Sequence, residues 1–335
     1  MRNKRIIGYG IVPAIVVLFL CNLFYGSVSI PAPAVLDILS GKEVEPAAWK
    51  MIVLQSRLPQ AITALLAGSA LAVGGLMLQT LFRNPLAGPS ILGVSDGANF
   101  GVAVVMLWAG VSTGINLSTV VAALTGALAV LGLILYFSTK VGNNVLVLII
   151  GMMIGYLASS GISILNSFAT SESIHSYVLW GLGSFSNVSY PQIPFYSIAV
   201  ITGLTGSVLL IKPLNILLLG ENYATSLGIR VKRTRIFILL VTGFLTAIVT
   251  AFCGPVSFIG LAVPHIARMV LRTSNQQFLL PATLLSGGAI ALLCHLLTTL
   301  PFGKTLLPLN AVTPLLGAPI ILYVILNRKN LHYFQ

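Results

Sequence analysis

Charge is what this sequence has least of. Only 7% of its 335 residues are Asp, Glu, Lys or Arg, whereas soluble domains carry about 25%. Acids are scarcest, six against 18 basic residues, and the resulting net charge is +12 at pH 7. The basic residues fall singly between apolar runs, so no solvated basic face can be drawn and a nucleic-acid partner is excluded. Cysteine is nearly absent as well. Cys21, Cys253 and Cys294 lie in apolar stretches without CxxC spacing, which excludes a zinc ribbon or a disulfide framework and leaves free thiols packed among helices. The N-terminal stretch has a basic start and an apolar run but no A-x-A cleavage site, so it is expected to remain as a first span.

Apolar side chains take the space that charge leaves. They make up 57% of the chain, with a mean hydropathy of +1.00, and a membrane span needs roughly 20 such residues. Runs and breakers delimit ten candidate spans, near residues 6–28, 58–81, 92–109, 115–137, 145–167, 192–211, 236–253, 257–271, 279–300 and 311–326. The eighth is short enough for a half-span. With the N-terminus in the cytoplasm, 14 of the 18 basic residues fall inside and only Lys42, Lys50, Arg57 and Lys304 fall outside. That asymmetry places both termini in the cytoplasm. The expected fold is an all-α integral membrane protein with about ten transmembrane helices, one domain over residues 1–335. Small residues recur at helical spacing (Gly93, Gly97 and Gly101; Gly151 and Gly155; Gly74-Gly75), which lets helix backbones approach closely in lipid.

Five strings interrupt the apolar background. Arg57-Leu58-Pro59-Gln60 reads as a snorkelling arginine and a proline in a first helical turn. Arg83-Asn84-Pro85-Leu86-Ala87 forces an extended turn after a helix, because proline disfavours helical backbone in the residue before it. Trp180-Gly181-Leu182-Gly183-Ser184 lies in an outer segment, where tryptophan commonly anchors at the interface. Gly220-Glu221, Ala224 and Leu227-Gly228 stand in the largest cytoplasmic stretch, before the basic run Arg230 to Arg235. Gly254 to Arg268 holds prolines at both ends of a short helix, with His265 and Arg268 on one face, placed for hydrogen bonds between helices. Gly303-Lys304-Thr305 imitates the end of a phosphate-binding loop, but Thr298 stands where that loop needs glycine. Asp96 is nearly the only acid near a span, at a helix start where capping accounts for it.

Taken in order, and with Leu316-Gly317-Ala318-Pro319 before a last apolar run, these strings from residue 57 to 326 resemble the permease subunits of type II ATP-binding-cassette (ABC) importers for iron-siderophores, haem and cobalamin. The resemblance implies a role for each. Arg57 would face an acidic substrate-binding protein. Gln60 departs from the family's second arginine there and Thr299 from a third, while His295 stands where aspartate is usual; Lys304 is the substitute docking charge. Asn84, Pro85 and Leu86, with Asn143 and Asn144 of the loop at 140–144, would close the cytoplasmic end of the pathway. Trp180, Gly183 and Ser184 would sit at its outer mouth. Within the coupling segment 212–235, Gly220, Glu221, Ala224, Leu227 and Gly228 would form two short helices docked on an ATPase, their small residues permitting close approach.

The same resemblance implies a bacterial inner-membrane location and import by alternating access. The partners would be a second permease chain, giving a homodimer, two ATPase subunits, and a periplasmic or lipid-anchored binding protein. ATP and magnesium would be used by the ATPase alone. This chain would hold no catalytic residue, no metal site and no cofactor. The alternative from another class is a secondary transporter driven by an ion gradient, which commonly places several ionisable residues within its spans.

Overall fold

The structure is a computed structural model and describes residues 2–109, 117–299 and 307–326. Among them there are helices and turns but no strand. In chain order the α-helices are α1 (Arg2–Phe24), α2 (Ala32–Leu39), α3 (Ala47–Met51), α4 (Leu58–Phe82), α5 (Val94–Ala103), α6 (Leu117–Lys140), α7 (Asn144–Phe168), α8 (Ser171–Gly181), α9 (Ile193–Leu209), α10 (Ile211–Leu218), α11 (Glu221–Ser226), α12 (Val231–Cys253), α13 (Ile259–Leu271), α14 (Gln276–Thr299) and α15 (Leu309–Leu326). By length and composition six helical stretches can cross a membrane, Ala47–Phe82 the longest, and four shorter apolar helices join them. Each of the ten apolar runs coincides with one of these.

One boundary differs from the expectation. The second run does not begin near Pro59: α3 leads without a break into α4 through a wide turn over Ile52–Arg57. Proline would clash with the carbonyl four residues back in a regular helix. Here the turn before it is a π-turn, with the Leu58 amide bonded to the Val53 carbonyl, a local widening of the helix before the proline. Arg57 therefore sits inside a long helix rather than at its mouth.

α4 is the core of the molecule. It touches α9, α12, α13 and α14, and Ala61, Ala64, Ala67, Ala70 and Ala72 along it are fully buried. The small residues set the spacing. A Cβ on Gly75 would overlap the Gly260 carbonyl of α13, so neither helix tolerates a side chain at that crossing. The Gly151–Gly155 pair of α7 faces α5 in the same manner, against Leu92 and Asp96. By contrast, α7 and α9 leave most of their surface outside the chain.

α13 bears out the expectation of a half-span. Its 13 residues reach about 20 Å at 1.5 Å each, short of the roughly 30 Å of a bilayer core. The irregular stretch Gly254–Phe258 precedes it. Exposed backbone polar groups are not tolerated in lipid, and here Asn310 of α15 meets that need: its side chain donates to Pro255 O (2.7 Å) and Gly181 O (3.1 Å) and accepts from Ser257 N (3.1 Å).

Candidate functional site: a polar ring at the cytoplasmic end

α4 ends where Arg83 turns left-handed, φ +47. Asn84 then closes the turn on itself, its Oδ1 accepting from the Leu86 amide at 2.9 Å. His265 of α13 bonds the Pro85 carbonyl at 2.7 Å, which pins the turn from the side. Leu86 is left exposed, so the turn presents an apolar tip on a fixed base. Asn143 caps α7, accepting from Val145 N at 2.8 Å. Its neighbour Asn144 reaches away from its own helix, donating to Leu81 O (3.1 Å) and to Glu221 Oε1 (2.6 Å). All five residues expected at the cytoplasmic gate are thereby at one end of the fold.

The segment expected to couple closes on the same place. Arg83 donates to Leu217 O at 2.9 Å, joining the turn after α4 to the end of α10. Arg235 of α12, its side chain 5% exposed, lies 3.6 Å from Glu221 Oε1 and donates to Val141 O (3.1 Å) and Gly142 O (3.0 Å). Four elements thus form a ring: the end of α4, the start of α7, α11, and α10 back to Arg83. A cleft of about 480 Å³ opens inside it, lined in part by Phe82, Asn144, Leu219 and Tyr223. From sequence, Arg235 stood only as one of the inside charges; its partners are backbone carbonyls, which leave no trace in a motif.

The coupling residues divide differently from the expectation. Ala224 was expected on a docking face, but it is fully buried in the core. Gly220 and Gly228 have φ of +120 and +81, conformations that side chains resist, so their glycines serve the backbone turns at either end of α11. The face that α11 and its flanks offer is Leu219, Tyr223 and Leu227, each more than half exposed. Thr225 and Ser226 are exposed beside them.

Two further corrections concern the outer end. Arg57, expected to project towards a binding protein, is 5% exposed. Its guanidinium donates to the carbonyls of Leu23 and Phe24 at 2.8 Å each and to that of Val28. The last carbonyls of a helix lack intrahelical partners, and α1 satisfies two of them with this side chain. Gln60 is half-buried and donates to Ser56 Oγ. Lys304 lies outside the described residues. Trp180 is no interfacial anchor: it is 2% exposed and stacks on Tyr177, ring centroids 6.4 Å apart. Gly183 lies against the Pro255 carbonyl, and the Ser184 amide bonds Cys253 O at 2.8 Å. This outer string is therefore stapled to the break before α13.

His265 and Arg268 form bonds between helices, as their spacing suggested. Arg268 donates to Gln79 Oε1 of α4 at 2.8 Å. No group of His, Cys, Asp and Glu able to hold a metal ion occurs among the described residues.

Known proteins share this pattern over most of its length. The profile of the FecCD transport family matches residues 14–327. The vitamin B12 import system permease protein BtuC of Klebsiella pneumoniae subsp. pneumoniae is 32% identical over 301 residues, covering 88% of this chain and 90% of that protein. BtuC of Salmonella typhi is 33% identical over 299 residues, covering 87% and 90%. Among solved structures, an ABC transporter assigned to the metal-chelate type, in an inward-facing conformation, superposes with a TM-score of 0.84 and 28% identity, over 97% of this chain and 99% of that one. PsaBC of Streptococcus pneumoniae in complex with Fab superposes with a TM-score of 0.53 and 14% identity, over 82% and 94%, a likeness of fold alone.

Proposed function

The chain belongs to the FecCD transport family, and from that premise we propose that it is the permease subunit of an ABC importer in a bacterial inner membrane, carrying cobalamin or a ferric chelate into the cytoplasm. The observation that supports this reading best is identity above 30% to vitamin B12 permeases along nearly the whole chain. The geometry agrees with it. An exposed apolar face (Leu219, Tyr223, Leu227) stands beside a braced turn with Leu86 exposed at its tip, which suits a subunit worked from below.

In this reading two copies of the chain enclose the pathway and two ATPase subunits dock beneath, where ATP and magnesium bind. A binding protein delivers the substrate from outside, and closure of the ATPases switches access from one side to the other. The chain's own residues do no chemistry on the substrate; they bind partners, exclude water and move. Of the six acids only Asp96 lies within a span, and Arg57, Arg235, His265 and Arg268 are occupied with bonds to neighbouring helices and loops, which leaves the ion-driven alternative without repeated intramembrane acids.

The test is to tag the chain, purify it from its host's membranes in mild detergent, and identify its companions by mass spectrometry. An ATPase subunit in the complex, with vanadate-sensitive uptake of radiolabelled cobalamin or a ferric siderophore, is the expected result. Uptake that tracks an ion gradient and ignores vanadate would overturn the proposal.

A further inference from the structure

Most polar contacts between elements at the cytoplasmic end run from a side chain to a main-chain carbonyl. The contact of Glu221 with Asn144 joins two side chains. Glu221, the first residue of α11, holds no backbone group of its own neighbourhood with its carboxylate; Oε1 accepts from Asn144 and faces Arg235. Asn144 is equally divided, since the same amide group also donates to Leu81 O, three residues before Asn84. Two side chains therefore carry a continuous path from the exposed segment Leu219–Leu227 to the base of the turn at Asn84–Leu86.

We propose that Glu221 and Asn144 are the joint through which movement of the α10–α11 segment is passed to the cytoplasmic gate. The proposal rests on the permease reading above and assigns to it the residues that transmit the stroke. The geometry of the contact and of the ring around it supports this. Asn144 donates to Glu221 Oε1 at 2.6 Å, and a carboxylate acceptor makes such a bond stronger than one between neutral groups. The contact is directional, so a rotation of α11 must either drag Asn144 or break the bond.

Arg235 supplies the fixed side. Its buried guanidinium clamps the carbonyls of Val141 and Gly142 and keeps the loop before α7 in place while holding Glu221 in reach. Arg83 to Leu217 O is the second strut. Because the ring is closed, α11 cannot shift alone. Displacement of α10 and α11 is shared with the ends of α4 and α7, and a coupling claim requires such a physically connected element.

The experiment uses the complete complex in inside-out vesicles, in a chain whose three native cysteines are replaced by alanine and which carries Leu86→Cys. The rate of labelling by a membrane-impermeant maleimide is measured with and without ATP and vanadate. With Glu221 present, labelling should change with nucleotide. Glu221→Ala and Asn144→Ala should abolish that change while the ATPase still co-purifies and still hydrolyses ATP. Glu221→Gln keeps an acceptor for Asn144 and should retain the response, a rescue that general damage to packing would not give. Asn144→Asp sets two carboxylates against each other and should lose the response.

An intact nucleotide response in both alanine variants would overturn the joint. Loss of the ATPase from the Glu221→Ala complex would also overturn it, because Glu221 would then be a docking residue. Absence of any response with Glu221 present would locate the failure in the gate reading beneath the proposal, and the joint would fall with it.

Discussion

Arg57 and Leu23 stand 34 positions apart in the chain, yet the guanidinium of the first bonds the carbonyl of the second at 2.8 Å. The same head group serves Phe24 and Val28, so one side chain finishes the end of α1 and fixes the chain that leaves it. Gly26 fits beneath it: a Cβ there would come within about 3.0 Å of the guanidinium Nε.

Arg57→Ala should therefore destabilise the chain itself. Bonds from a charged donor contribute about 1.5–3 kcal/mol each, and of the three carbonyls it would leave, that of Leu23 is buried. Arg57→Lys, with a point charge in place of the fork, should recover part of the loss, and Arg57→Glu should be worst because it sets a carboxylate against carbonyl oxygens. The measurement is the fraction of monodisperse protein left after heating in detergent. Wild-type heat resistance in Arg57→Ala would contradict the clamp.

The α11 region calls for two opposite kinds of substitution. Tyr223→Asp or Leu227→Asp changes only an exposed face and should abolish recovery of the ATPase while leaving insertion and heat resistance unchanged. Ala224→Leu enters a filled site, where overpacking costs about 1–3 kcal/mol, and should lower heat resistance as well as assembly. If Tyr223→Asp and Leu227→Asp both assemble normally, the docking face lies elsewhere.

How much of this was legible beforehand follows from what kind of partner each residue has. The ten apolar runs could be read because hydrophobic length is a local property, and α13 was recognisable as a half-span for the same reason. The turn after α4 could be read because proline at 85 dictates the backbone before it, whereas Gly220 and Gly228, expected as small docking residues, answer to positive φ values that no spacing announces. Arg57, Arg235 and Asn310 could not be read, because all three spend their side chains largely on main-chain carbonyls distant in sequence. A carbonyl has no identity in a sequence, so nothing marks such a partner. Ala224 misled for another reason: a small residue fits a close interface and a tight interior equally well, and only the fold decides which.

Close approach of α4 and α13 gives a sharp test of packing. Gly75→Ala would set a methyl group into the Gly260 carbonyl, and neither backbone can withdraw without breaking its own helix. Folded protein should be nearly lost. Gly132→Ala, on α6 with open space around it, is the matched control and should express normally. Comparable yields of the two variants would mean the helices cross elsewhere.

The proposed gate at the turn Asn84–Leu86 yields a prediction about symmetry. Leu86 is exposed at the tip of a turn whose base is held by His265, by Asn84 and, through Arg83, by α10. An apolar side chain on so firm a base, left in the open by one chain, is suited to meet its own copy across a two-fold axis, where two such tips exclude water without binding it. Cysteines placed at Leu86 should crosslink between the two permease chains once the native cysteines are removed. Cys253 and Cys294 are buried, so alanine, which leaves a small void, is chosen there over serine, whose hydroxyl would need a buried partner. The yield should differ between nucleotide-free and ATP–vanadate states, because the closed and open gates hold the tips at different separations. His265→Ala frees the Pro85 carbonyl and should blunt that difference by loosening the turn, with the ATPase still bound. An assembled, ATP-hydrolysing complex whose Leu86 cysteines never join in either state would show that the two turns do not meet, and that the pathway is closed by other residues.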